Sequence, residues 1–117
     1  MIKLQGEHGE ITIANNVFTT ITGAAATNCF GVKGMAARSM KDGLYHLLRK
    51  ESASKGVRVQ FHEDESISID LHIMVDAGVN LHAVASSIIS EVRYVVTKHT
   101  GTQVRGVNVY IDAITVD

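Results

Sequence analysis

The sequence lacks proline and tryptophan, holds a single cysteine, Cys29, and contains no apolar run of the length that a membrane-spanning helix needs, about 18 residues. One cysteine cannot form an internal disulfide, which excludes the class of disulfide-stapled secreted proteins. The first residues also lack the apolar core of a signal peptide, so we expect a cytoplasmic chain. The 117 residues are 45% hydrophobic and 20% charged, which predicts one globular domain over residues 1–117.

The formal net charge of −1 conceals a basic segment. Residues 33–58 contain seven basic and two acidic side chains, a local charge of +5, whereas the rest of the chain carries −6. This asymmetry predicts an anionic partner, foremost a protein, although a solvated helix face would show the same pattern. The candidate partner-binding residues are Lys33, Arg38, Lys41, Arg49 and Lys50.

Hydrophobic periodicity divides the first half of the chain into one strand and two helices. Residues 10–13 alternate polar and apolar side chains, which predicts a strand. A helix with Asn15 or Asn16 as its N-cap follows, and its stripe of small residues at 23–26 suits close contact with another backbone. A second helix is predicted over residues 38–50, because their apolar side chains repeat at helical spacing.

The second half begins with two strongly alternating segments. Residues 57–61 and 67–75 place every second apolar side chain on one face, which predicts a hairpin with one covered and one wet face. With the apolar face shared, Arg58 is expected opposite or diagonal to Asp70. The acidic connection at residues 63–65 is a solvated tip, where nothing would raise a carboxyl pKa for acid catalysis.

A long helix and a last strand complete the predicted fold. The helix begins near Asn80 and ends at Gly101, which supplies a left-handed stop, and the strand covers residues 107–111. The edge of this strand is a second candidate surface for a protein partner, since an unpaired edge can add a strand. The predicted class is α+β: a two-layer sandwich with helices on one face of a mixed, mostly antiparallel sheet, in the order β-α-α-β-β-α-β.

The side chains that carry chemistry form no recognisable catalytic, metal or cofactor site. The six histidines include no pair at metal-ligand spacing on one helix face. Cys29 lies between a helix end and a glycine turn without an elbow motif, which is typical of a buried structural thiol. We therefore predict a non-enzymatic protein that needs no cofactor.

The glycines leave one alternative function open. Gly31 and Gly34 bracket Lys33 between the two predicted helices, and a KH domain clamps single-stranded RNA with a GXXG loop in that position. A KH-like RNA-binding module is therefore the alternative, with Lys33 on a phosphate. The acidic remainder of the chain argues against nucleic acid as the partner.

Several short segments follow one another along the chain in a characteristic order. They are Gly-Glu-Ile-Thr-Ile at 9–13, Cys-Phe-Gly-Val-Lys-Gly-Met at 29–35, Ile-Asp-Leu-His-Ile-Met-Val at 69–75 and Thr-Gly at 100–101. This order resembles the alkaline shock protein family, also called the envelope stress response protein family, of Gram-positive bacteria, over nearly the whole chain. The chain is similar to the small members without charged tails, often encoded beside a dihydroxyacetone-kinase-like fatty acid kinase.

The resemblance implies a cytoplasmic, non-enzymatic interaction module, a scaffold or regulator linked to envelope and alkaline stress or to fatty acid metabolism. Larger relatives collect at the membrane through a membrane-anchored partner, so this chain would reach a membrane only indirectly. The implied partners are a kinase-like neighbour or a membrane-anchored protein, and a homo-oligomer is left open. The family contributes no catalytic residue that could be carried over.

Overall fold

The computed structural model describes residues 1–38 and 43–116. Within these residues the chain forms seven strands, two α-helices and one 3-10 helix in the middle of the chain. They are β1 Ile2–Gly6, β2 Gly9–Ile13, α1 Asn15–Thr27, β3 Val32–Arg38, β4 Tyr45–Leu47, the 3-10 helix Lys50–Gly56, β5 Val57–Phe61, β6 Ile67–Asp76, α2 Leu81–Thr100 and β7 Val104–Thr115.

The main sheet is built around β6. Strand β7 pairs with β6 in parallel along its whole length, from Ile67 to Asp76. A strand has two edges, so β5 and β3 share the other one: both run antiparallel to β6, β5 along its first half and β3 along its second. Strand β4 pairs with β3, while β1 and β2 form a separate hairpin. This confirms the predicted α+β class and the mixed, mostly antiparallel sheet.

The hydrophobic core lies between one face of β6 and the helices. Ile67, Ile69, Leu71 and Ile73 alternate along this face and are fully buried, and they pack with the buried valine and isoleucine stripe of α2. Each such side chain stabilises the fold by roughly 1.5–3 kcal/mol through removal from water. The intervening side chains on the opposite face, such as Ser68 and His72, are only half-buried.

The hairpin of β5 and β6 and the ends of α2 follow the predicted pattern. Arg58 lies directly opposite Asp70 in the antiparallel register. The side chain of Asn80 accepts a hydrogen bond from the Ala83 N–H, and Gly101 adopts the left-handed conformation at φ 72°. Both ends of α2 could be predicted from the sequence, because Asn and Gly satisfy the backbone groups of helix ends by local geometry alone.

Helix α1 differs from the prediction at its start. Its N-cap is Ala14, and no side chain caps it, so the predicted capping by Asn15 or Asn16 is wrong. Tertiary packing holds the helix instead: Phe18 is fully buried and contacts the Phe61 ring edge-on at 5.8 Å. The expected close approach of the small stripe is confirmed, since a Cβ added at Gly23 would lie 3.2 Å from the backbone of Ala53.

The predicted second helix over residues 38–50 is wrong, and so is the predicted element order. Strand β3 ends in this region and β4 follows within it. The spacing of apolar residues also suits a strand pair here, since Leu47 lies opposite the buried Ala36 and contacts Gly34. Pairing of β3 with β6 therefore outweighs local helix propensity. Lys41 lies outside the described residues.

The glycine loop expected between two helices is also absent from the described structure. Val32 to Gly34 open strand β3, and Gly34 is buried beneath Leu47. Gly31 is required for a different reason: its φ is +87°, and a Cβ there would lie 2.9 Å from Val84. The KH-like geometry is therefore wrong. Strand β1, which pairs with β2 from Ile2 to Gly6, was not predicted from the sequence.

Candidate functional site

Two of the predicted partner-binding residues line one cleft, here called the basic cleft. It has a volume of about 320 Å³ and lies where the end of α1, the start of β3 and the 3-10 helix meet. Lys33 enters it from β3 and Lys50 from the 3-10 helix, beside Asn28. The 3-10 helix can lie this close because Gly23 has no side chain where Ala53 contacts it. The cleft is lined by Thr27, Asn28, Lys33, Gly34, Met35, Leu48, Lys50 and Ala53.

The lining of the basic cleft contains two cations and no carboxylate. Both lysines are exposed, and neither forms an ion pair with a side chain that the structure describes. The lining thus combines two lysines with the amide of Asn28 and the hydroxyl of Thr27, and ammonium groups donate hydrogen bonds to a carboxylate or another anion. The cleft can therefore bind an acidic group without first breaking an existing salt bridge.

The other predicted binding residues lie around the cleft rather than in its lining. Arg49 is exposed and immediately precedes the 3-10 helix. The Nε of Arg38 donates a hydrogen bond to the carbonyl oxygen of Gly43 at 3.1 Å, which ties this guanidinium to its own loop. Lys41 belongs to the undescribed segment. Of these five basic residues, Lys33 and Lys50 are therefore the two that the structure places in the lining of the basic cleft.

A stack of three rings on the uncovered face of the sheet was not predicted from the sequence. The His72 ring of β6 lies between two tyrosines: Tyr110 of β7 at 4.8 Å and 13°, and Tyr45 of β4 at 5.8 Å and 20°. We call Tyr45, His72 and Tyr110 the ring stack. His72 Nδ1 also contacts Asp112 Oδ2 at 2.9 Å, and the Asp112 side chain is only 9% exposed. The stack therefore links three strands and is oriented by a nearly buried carboxylate.

Only part of the ring stack could be predicted from the sequence. His72 was placed on the polar face of its strand, and Tyr110 alternates with core valines in the last strand. The parallel pairing of β6 with β7, which sets them side by side, could not be read from periodicity. Tyr45 was assigned to a helix, which removed it from the sheet altogether.

A second polar network lies at the far end of the same face. Asp64 accepts hydrogen bonds from the Ser66 hydroxyl at 2.5 Å and the Ser66 N–H at 3.1 Å, and from Arg105 at 3.0 Å. These bonds favour the carboxylate form, those from Ser66 most, and lower the pKa of Asp64 from 3.8 to about 2. Asp64 therefore stays ionised at neutral pH and closes the turn between β5 and β6 onto β7.

Cys29 lies in a groove between the two helices. The groove has a volume of about 680 Å³, and the thiol donates a hydrogen bond to the Ala25 carbonyl at 3.4 Å. Burial, followed by the negative charge of Glu91, raises the pKa of the Cys29 thiol above its ordinary value. A raised pKa keeps the side chain protonated, whereas a nucleophilic cysteine needs the thiolate. The predicted burial is wrong in degree, since Cys29 is only half-buried, but its hydrogen bond and raised pKa are those of a structural side chain.

The residues that the structure describes bear on metal binding and on membrane crossing. Among these residues, no group of three or more His, Cys, Asp or Glu side chains could hold a metal ion. None of the described helices combines the length and apolar character needed to cross a membrane.

Comparison with known proteins identifies relatives along nearly the whole chain. A family model described as the alkaline shock protein 23 family, with a cell envelope-related function, matches residues 3–116. The uncharacterized protein YloU of Bacillus subtilis is 40% identical over 116 residues, covering 98% of this chain and 96% of that protein. The uncharacterized protein Spy1614 of Streptococcus pyogenes is 36% identical over 116 residues, covering 98% of this chain and 95% of its own.

A solved structure shares the fold at low sequence identity. MamM-CTD 215-293 aligns with a TM-score of 0.53 and 17% identity, covering 86% of this chain and 99% of that structure. At this identity the likeness concerns the arrangement of strands and helices alone.

Proposed function

We propose that this chain is a non-enzymatic interaction module. The premise is that it belongs to the alkaline shock protein 23 family, which has a cell envelope-related function. In this proposal it acts as a scaffold or regulator that binds a protein partner through an acidic segment. The observation that carries the proposal is the basic cleft, which Lys33 and Lys50 line from separate elements.

The charge distribution supports an acidic protein segment as the ligand. The cleft offers two exposed ammonium groups on an otherwise acidic chain, whose net charge outside residues 33–58 is −6. A basic patch on an acidic body favours one docking orientation, because a wrongly oriented acidic partner is repelled. A carboxylate side chain in the cleft would accept hydrogen bonds from both lysines.

The cellular setting of the proposal rests on family membership and resemblance. We propose a cytoplasmic module that reaches the membrane only through its partner, with a membrane-anchored protein or a kinase-like neighbour as the candidate partners. A link to fatty acid metabolism is the alternative setting to envelope stress. The RNA-binding alternative is not carried forward, because its glycine loop is part of strand β3.

The test is charge reversal in the basic cleft with a matched control on α2. The variant Lys33→Glu/Lys50→Glu is compared with Arg93→Glu/Lys98→Glu, which makes the same change of charge at exposed positions of α2. Each tagged chain is isolated from its native cells, and the protein partner recovered with the unaltered chain is quantified by mass spectrometry.

We expect the cleft variant to lose this partner and the α2 variant to retain it. Recovery should also fall as salt is raised, since exposed charge pairs are screened. Equal recovery with both variants would overturn the basic cleft as the binding site. Recovery of RNA in place of a protein would overturn the interaction-module proposal itself.

A further inference from the structure

The last strand presents an unusually long open edge. Strand β7 covers Val104–Thr115 and pairs with β6 along one edge only; no other described strand pairs with it. An open edge leaves a row of backbone N–H and C=O groups that can pair with another strand. The edge therefore has the hydrogen-bonding capacity to extend the sheet.

This edge lacks several features that normally prevent such pairing. It holds neither proline nor lysine, the residues that often block sheet edges. One register shift between β6 and β7 lies at the start of the pairing, at Ile67/Ser68, and the other at Ile73/Met74, where Asp112 is an extra residue in β7. Between them, Gly106 to Ile111 run in unbroken register, rich in the β-branched residues that suit a strand. The middle of the edge is therefore regular and open.

The ring stack ends at this same edge. Tyr110 stacks on His72, which belongs to β6, so the other face of its ring points away from β6 toward the open edge. Its side chain is 47% exposed. A strand added to the edge would place its own side chain next to this free ring face, because same-face neighbours across strands lie about 5 Å apart.

We propose that a second copy of this chain pairs with β7 in antiparallel orientation about a two-fold axis at Tyr110. The two sheets would then form one continuous sheet, and Tyr110 would lie opposite its own counterpart. The two ring stacks would join across the axis, which gives a stack of rings running through both copies. This assignment is independent of the basic cleft.

The sequence of β7 is complementary to itself in this register. A two-fold axis at Tyr110 sets Val109 opposite Ile111 on the core face, inside the regular stretch, and brings Asn108 near Asp112 on the outer face. Asn108 donates a hydrogen bond to Asp70 and Asp112 is bonded to His72 within each copy, and within 108–112 no two like charges face each other. Each pair occurs twice, as a two-fold interface requires. Self-complementarity favours a second copy over an unrelated strand.

The first test measures self-association by sedimentation equilibrium over a dilution series. Tyr110→Lys introduces a positive charge at an exposed position of the edge, where the two lysines of the dimer would face each other across the axis. Tyr94→Lys is the matched control, since Tyr94 is 60% exposed on α2, away from this edge. Far-ultraviolet circular dichroism and urea midpoints serve as the controls that both variants remain folded.

We expect the unaltered chain and Tyr94→Lys to form a dimer that dissociates on dilution, because one strand pair buries less than the ~1,600 Å² of a standard interface. The edge variant should dimerise at least about tenfold more weakly. A chain that stays monomeric at every concentration would overturn the proposal. So would an edge variant that dimerises as well as the unaltered chain.

The second test fixes the register with single cysteines in a Cys29→Ser background. A cysteine at 110 is opposite its own copy in the proposed dimer, at a spacing compatible with a disulfide. We expect Tyr110→Cys to form a covalent dimer on mild oxidation and Tyr94→Cys to remain monomeric. Equal cross-linking at 94 and 110 would indicate random collision and overturn the assignment.

Discussion

At the residue scale, the lowered pKa of Asp64 predicts how this carboxylate affects the stability of the protein at acidic pH. Two hydrogen bonds from Ser66, and then Arg105, lower its pKa from 3.8 to about 2. The pKa is lower in the folded than in the unfolded state, so the stabilisation is present above the unfolded value, about 3.9, and is lost as the pH falls toward 2. Because Asp64 is exposed, this contribution to stability is small.

Removing the Ser66 hydroxyl should raise the pKa of Asp64. Ser66→Ala deletes the largest cause of the shift but keeps the backbone N–H bond, so the pKa should rise part of the way to 3.8. Arg105→Gln should raise it less. Carboxyl titration by NMR measures both effects, with carboxylates remote from the turn as internal references. A larger rise in Arg105→Gln than in Ser66→Ala would contradict this ranking.

Gly56 is a second position where adding a single methyl group should change the stability of the protein. A methyl group there would lie 2.9 Å from the Ala36 carbonyl oxygen and 3.1 Å from the Met35 Cβ. Since backbone cannot move aside cheaply, Gly56→Ala should lower the free energy of unfolding by about 1–3 kcal/mol. Urea denaturation measures the loss. Gly9→Ala is the control, because no atom lies within 4 Å of its added methyl, and it should change stability by less than about 0.5 kcal/mol.

At the element scale, the two helices begin in different ways, and the difference can be measured. The Asn80 side chain accepts a hydrogen bond from the Ala83 N–H at 2.9 Å, whereas α1 begins after Ala14 with no capping side chain. Asn80→Ala should therefore destabilise the protein by about 1 kcal/mol. Asn15→Ala at the start of α1 should have little effect, and an equal loss in both variants would contradict the assigned caps.

The elements also show which patterns a sequence can reveal. Strands β5 and β6 and helix α2 were predicted because each carries a long, unambiguous period. Residues 38–50, which include β4, were predicted to form a helix, because a few apolar residues fit both spacings and only the pairing of β3 with β6 and β4 decides between them. The ring stack was missed for a related reason, since it depends on which strands become neighbours.

The candidate binding residues show the same limit of prediction from sequence, which is that it does not reveal which segments become neighbours. The charge count found the basic segment, and the fold brought Lys33 and Lys50 together from elements that were predicted to be a loop and a helix end. Arg38 was counted equally from sequence, yet it bonds to Gly43 in its own loop. Net charge locates a basic region, whereas the fold selects which of its side chains share a surface.

At the scale of the whole molecule, the two proposed surfaces lie on opposite sides of β6. The basic cleft is bordered by β3, which pairs with one edge of β6, and the open edge belongs to β7, which pairs with the other. A dimer through β7 would therefore leave both basic clefts free, one at each end. The assembly would be a bivalent binder, whose hold on a surface carrying many partner molecules exceeds that of either cleft alone.

Separate variants of the two surfaces should therefore have separable effects. Lys33→Glu/Lys50→Glu should self-associate like the unaltered chain but lose the partner, because its edge is intact. Tyr110→Lys should bind a single partner molecule in solution with unchanged affinity. It should dissociate faster only from a surface densely coated with that partner, where two clefts act together. Surface plasmon resonance at high and low coating density measures the difference. If either variant lost both activities while remaining folded, the two surfaces could not be independent.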